Sequence, residues 1–186
     1  MNIENKFFKF LLKLTGWSIK GSLPKENQYI IIAAPHTSNW DFIIAVMLRG
    51  ALNEKIFYLG KSQLFKLPWG WFFSAMGGKP VDRTKSNNLV DAVVNIFKED
   101  QYFKLALAPE GTRSAVKKWK TGFYYIAKGS NIPIVPCGLD FKKRTLFIAE
   151  KFYPGDDIEN DMNTLISYFR KFEGKHPKEV PDFKLN

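Results

Sequence analysis

Two pairs of side chains in this sequence have the types and spacing for acid–base and anion chemistry: His36 with Asp41, and Glu110 with Arg113. His36 comes just after the apolar run Tyr29–Ala34, and Asp41 opens a stretch with helical spacing. The pair therefore flanks a strand-to-helix turn, where a rigid scaffold points side chains into a pocket at the carboxyl end of a sheet. A spacing of five is not the neighbouring-face spacing of a straight helix, so the turn must fold back for the carboxylate to reach the imidazole. A carboxylate so placed fixes the tautomer, stabilises the imidazolium and leaves the other ring nitrogen free as a base. An ordinary imidazole titrates at about 6.5, close enough to neutrality for that work. Taken alone, the pair reads more simply as a charge at a helix N-terminus beside a satisfied core histidine.

The segment Pro109-Glu110-Gly111-Thr112-Arg113-Ser114 shifts that balance. It follows a second apolar run, 103–108, and so places an acid, a hydroxyl and an arginine at another strand end. Glu110 could accept a hydrogen bond from a substrate hydroxyl, and Arg113 could hold a phosphate bidentately. Gly111 would let the backbone approach closely. A third segment, Gly78-Lys79-Pro80-Val81-Asp82-Arg83, again ends on an arginine; by itself it is a surface Asp–Arg pair on a turn.

Other chemistries are excluded. No Gly-x-Ser-x-Gly elbow is present, which argues against a serine hydrolase of that design. Gly60-Lys61-Ser62 has the tail of a phosphate-binding P-loop, but Lys55 stands where its first glycine is needed. Gly-x-Gly-x-x-Gly is absent. The single cysteine, Cys137, lies in an apolar run and reads as a buried, inert thiol. One cysteine also excludes a disulfide framework within the chain and a multi-cysteine zinc site.

The elements that must position these residues alternate. Strands are expected at Tyr29–Ala34, 55–59, 103–108, 132–139 and 144–149, and helices at 41–52, 86–100, 121–128 and 161–172. Residues 63–76 are helical in part, bent at Pro68 and Gly70. This alternation predicts an α/β fold, a single domain with a mixed, largely parallel sheet flanked by helices. Residues 21–186 would form it, preceded by an amphipathic helix over 1–20. On a wheel of 3.6 residues per turn, Lys6, Lys9, Lys13 and Lys20 fall within an arc of about 60°, and Ile3, Phe7, Phe8, Leu11 and Trp17 lie outside it. Such a helix either lies in a membrane interface or caps the core with snorkelling lysines.

With 186 residues, 45% apolar and 25% charged, the chain is long enough and apolar enough for one folded domain. Its longest stretch free of charged side chains, 27–40, falls short of the ~20 apolar residues of a membrane span. A net charge of +10 with 16% aromatic residues suits an anionic partner. No element for reading nucleic acid accompanies that charge, so no nucleic-acid partner is expected.

Taken together, the segments resemble a known family. His36-Thr-Ser-Asn-Trp-Asp41 is similar to the His-x4-Asp block of glycerolipid acyltransferases of the 1-acylglycerol-3-phosphate acyltransferase type. Residues 78–83 match the second block of that family, 109–114 the third and 132–136 the fourth, in order. The resemblance implies a glycerol-3-phosphate acyltransferase-like fold and an O-acyltransferase of phospholipid biosynthesis. His36 would be the general base and Asp41 its partner. Glu110, Gly111, Thr112 and Arg113 would line the acceptor site, with Arg83 and Lys61 binding phosphate. The donor would be acyl-CoA or acyl carrier protein, with no metal and no other cofactor. The acceptor would be a lysophospholipid, and the enzyme would sit peripherally on an anionic membrane at the cytoplasmic face. Pro35, Ala108 and Lys79-Pro80 depart from the usual blocks and leave the acceptor open. An amino-acid lipid, another lysophospholipid or glycerol-3-phosphate would serve the same chemistry. A catalytically inactive, basic membrane-binding protein is the non-enzymatic alternative.

Overall fold

The computed structural model describes residues 3–66, 68–81 and 89–183. Helix α1 (Ile3–Thr15) leads into a short strand β1 (Ser18–Lys20), then β2 (Tyr29–Ala34), α2 (Trp40–Leu52) and β3 (Phe57–Lys61). After a 3-10 turn at Ser62–Phe65 come α3 (Gly70–Ala75), β4 (Gly78–Val81), α4 (Leu89–Glu99) and β5 (Lys104–Leu107). The chain closes with α5 (Gly122–Ser130), β6 (Ile134–Asp140), β7 (Thr145–Ile148) and α6 (Ile158–Phe169).

The strands form one seven-stranded sheet in the order β1-β7-β6-β2-β5-β3-β4. Among the described strands only the β6–β7 pair is antiparallel, so β2 to β6 run one way and β1 and β7 the other. The expected α/β domain with a largely parallel, mixed sheet is what forms.

Alternation along the strands divides the core in two, because successive side chains point to opposite faces. Ile30, Ile32, Leu105 and Ile134 pack against Val93, Phe97, Phe123 and Phe169 from α4, α5 and α6. Tyr29, Ile31, Val135 and Cys137 pack against Leu12 of α1 and Ile44 and Leu48 of α2. β2 is buried on both faces, as its unbroken apolar run requires. It lies between β5 and β6, so the loops leaving β2 and β5 are neighbours at the carboxyl edge.

The N-terminal helix is shorter than the wheel suggests. It ends at Thr15, and Gly16 takes a left-handed φ of 72°. Such a glycine ends helices because it carries no Cβ to clash. Trp17 is then buried against Phe141, and Ser18–Lys20 pairs with β7 as an edge strand. Lys20 is therefore not on the helical lysine ridge, and residues 18–20 belong to the sheet. The apolar periodicity continued past a backbone reversal that only the glycine signalled. Block two also differs from a plain turn: residues 78–81 are the edge strand β4, paired with β3.

Candidate active site

The turn after β2 does fold back. Asp41 Oδ2 accepts from His36 Nδ1 at 2.8 Å and from the backbone N–H groups of Thr37 at 2.7 Å and Ser38 at 2.9 Å. Three donors on one buried carboxylate oxygen hold the turn closed around it. Hydrogen bonds to a charged group contribute about 1.5–3 kcal/mol each, so the arrangement is stiff. Asp41 stands in the first turn of α2, where the positive end of the helix dipole also favours a carboxylate. With Nδ1 engaged and 30% of its side chain exposed, His36 leaves Nε2 open to a reactant.

The loop after β5 meets this turn from the side. Glu110 is buried, and its Oε1 accepts the His36 backbone N–H at 2.9 Å. Burial raises the Glu110 pKa above its ordinary value, partly offset by the His36 N–H and the Lys178 ammonium. Gly111 sits at a φ of 68°, a left-handed backbone conformation that favours glycine, with the flexible end of the Lys120 side chain beside it. The Thr112 side chain is exposed and accepts from the Ser114 N–H. Arg113 reaches across the mouth, and its Nη1 donates to Asn39 Oδ1 at the start of α2.

The structure thus brings His36, Asp41, Glu110, Gly111, Thr112 and Arg113 to one corner. Lys61 is the last residue of β3, on the same carboxyl edge, and its side chain is outside what is described. Arg83 lies outside the described residues. Sequence reasoning gave no role to Lys178. Its ammonium donates to the His36 carbonyl at 3.1 Å and lies 3.5 Å from Glu110 Oε1. No local motif marks it, and it is far from either turn in the chain.

An apolar cavity of about 230 Å³ opens beside His36 and Asp41 and runs along α2 to Leu52 and Ile56. Asp41 and Leu52 are eleven residues apart on one helix, about 16 Å along its axis. The cavity exists because small side chains, Ala33, Ala106 and Ala108, occupy the sheet face under α2. Met76 and Tyr58 wall it on the β3 side. A base at the mouth of an apolar channel can activate a hydroxyl beside the head of an alkyl chain.

Comparisons with known proteins bear on the fold and the family. No curated protein matches the sequence significantly. Among solved structures, the fold is similar to the 1-acyl-sn-glycerophosphate (LPA) acyltransferase PlsC of Thermotoga maritima. The TM-score is 0.62 at 20% identity, covering 89% of this chain and 74% of that one. At that identity the likeness speaks for the fold. The Acyltransferase family model matches residues 18–140, a span that holds all four blocks and both site turns. The chain belongs to the acyltransferase family.

Proposed function

We propose that this acyltransferase moves a fatty acyl group from a thioester donor, acyl-CoA or acyl carrier protein, to a hydroxyl of a lysophospholipid such as 1-acylglycerol-3-phosphate. The observation that carries the reading is the Asp41-oriented imidazole at the mouth of the apolar cavity. His36 Nε2 takes the hydroxyl proton as the oxygen attacks the thioester carbonyl carbon. Asp41 stabilises the imidazolium so formed. The tetrahedral intermediate collapses, the carbon–sulfur bond breaks, and the imidazolium returns the proton to the leaving thiolate. Base and acid are the same group, so no acyl-enzyme is needed. The cavity beneath α2 receives the acyl chain and sets its carbonyl beside the base.

Arg113 at the mouth, with Lys61 and Arg83, is assigned to the acceptor phosphate. Glu110 shapes this site from behind, because its Oε1 is taken up by the His36 N–H and by Lys178. Membrane contact is assigned to two apolar surfaces. Trp69, Trp71 and Phe72 are exposed at α3, and Phe7, Phe10 and Leu14 on α1, whose exposed Lys6, Lys9 and Lys13 suit anionic headgroups. No described helix is long and apolar enough to cross a membrane.

The test supplies purified protein with labelled acyl-CoA or acyl carrier protein and a mixture of lysolipids, and reads products by mass spectrometry. A diacyl phospholipid bearing the donor's chain is expected, with 1-acylglycerol-3-phosphate consumed fastest. Transfer to no lysolipid from either donor would sink the reading.

A further inference from the structure

The C-terminal segment beyond α6 is pinned to the catalytic turn by contacts of several kinds. The Phe141 N–H donates to the Glu173 carbonyl at 2.8 Å, which brings the segment to the end of β6. Gly174 presses on Thr37 so closely that a Cβ would lie 2.6 Å from its methyl carbon. The His176 N–H donates to Thr37 Oγ1 at 3.3 Å, and the Lys175 ammonium lies 4.6 Å over the Trp40 ring. The segment then delivers Lys178 into the corner, where only 4% of its side chain is exposed. That ammonium donates to the His36 carbonyl at 3.1 Å and the Thr112 carbonyl at 3.3 Å, and pairs with Glu110 Oε1 at 3.5 Å.

We propose that Lys178 is a positioning residue of the transfer reaction: one buried ammonium ties the His36 turn to the Pro109–Thr112 turn and so sets the base against the acceptor. The chemistry favours this over a packing role. A buried lysine is tolerated only when paired and hydrogen-bonded, and all three oxygens facing this one belong to the two site turns. Glu110 Oε1 receives both the His36 N–H and the ammonium, so the carboxylate and Lys178 hold the His36 backbone on both sides of its Cα, at the N–H and at the carbonyl. Lys178 lies outside the matched family span, so the segment completes from outside a site whose other polar groups lie within it.

The proposal rests on the acyl-transfer reading. Its test compares the full-length wild type with Lys178→Met and with the neutral pair Glu110→Gln/Lys178→Met, which leaves no buried charge unpaired. A misplaced dyad costs turnover, whereas most of the cavity that holds the donor chain is lined by α2 and the strands beneath it, and neither Glu110 nor Lys178 lines it. Lys178→Met is expected to lower kcat about 100-fold with the donor KM within about threefold. Amide exchange should quicken in peptides over 35–38 and 110–113, with the rest of the chain unchanged. If Lys178→Met does not fold, the neutral pair carries the same reading, with kcat down at least about tenfold. A folded variant with kcat within about twofold of wild type and unchanged exchange in both turns overturns the proposal. So does a rise in exchange across the whole chain with kcat and KM both degraded, since that is loss of packing. If the wild type itself transfers no acyl group, the functional reading fails, and the exchange comparison still decides whether Lys178 holds the turns.

Discussion

Two regions of this molecule invert the usual distribution of polarity, in opposite senses. At the corner between β2 and β5, charged side chains are hidden: Asp41 is 6% exposed and Glu110 3%. At α3, before the β4 edge, large apolar side chains face outward: Trp69 is 66% exposed and Trp71 69%. Buried charges and exposed aromatic patches are the informative exceptions in a folded protein. The first costs desolvation and is held only because every charge has a partner of opposite sign or a row of backbone donors. The second leaves apolar area in water that a lipid surface would remove. One region holds its atoms still; the other is, on the proposed function, the surface offered to lipid. The apolar cavity opens at the first region, beside His36, and Met76, just after α3, forms part of its wall.

The contrast predicts unequal responses to substitution. The largest is expected for Asp41→Asn. The amide offers no charge to stabilise an imidazolium and breaks a carboxylate that takes three donors. Turnover should fall on the order of 10²–10⁴-fold, with a lower melting temperature. A variant with wild-type kcat would show that the carboxylate serves folding alone. The next effect is in the cavity. Ala106→Phe fills its floor and should cut transfer of a long acyl chain at least about tenfold while a short-chain donor is spared, at a packing cost of about 1–3 kcal/mol. Equal loss for both chain lengths would place the acyl group elsewhere. The smallest effect on chemistry belongs to the exposed edge. Replacing Trp69 and Trp71 together by Ala should weaken sedimentation with anionic vesicles about tenfold, about 1.4 kcal/mol. Turnover on detergent-dispersed acceptor should change little. Unchanged vesicle binding would remove the edge from the membrane contact.

These regions differ in how far they could be read from the sequence. The dyad corner was legible because its parts sit next to strong strand signals. Tyr29–Ala34 and 103–108 are unbroken apolar runs, and the polar residues that follow each run land at one edge of the sheet. The fold was legible for the same reason, since alternating strands and helices leave few arrangements other than a largely parallel sheet. The limit of α1 was less so, because Trp17 and Ile19 extend the helical periodicity while their burial comes from β7 and Phe141, distant in the chain. Lys178 was invisible, since a lysine in a polar tail carries no local pattern and its meaning is wholly tertiary. The sequence around Glu110 suggests an acid at the acceptor site; that its Oε1 also accepts the His36 backbone N–H is a tertiary contact no local pattern shows. Small residues such as Ala33 and Ala106 likewise show their use only once α2 is laid over them.

The most direct measurement is acyl transfer by His36→Ala with fold and vesicle binding verified. The account predicts that the variant keeps its melting temperature within a few degrees, still binds vesicles and donor, and loses turnover on the order of 10²–10⁴-fold, because the group that takes the acceptor's proton is gone. A folded His36→Ala protein that acylates a lysolipid at the wild-type rate would contradict it.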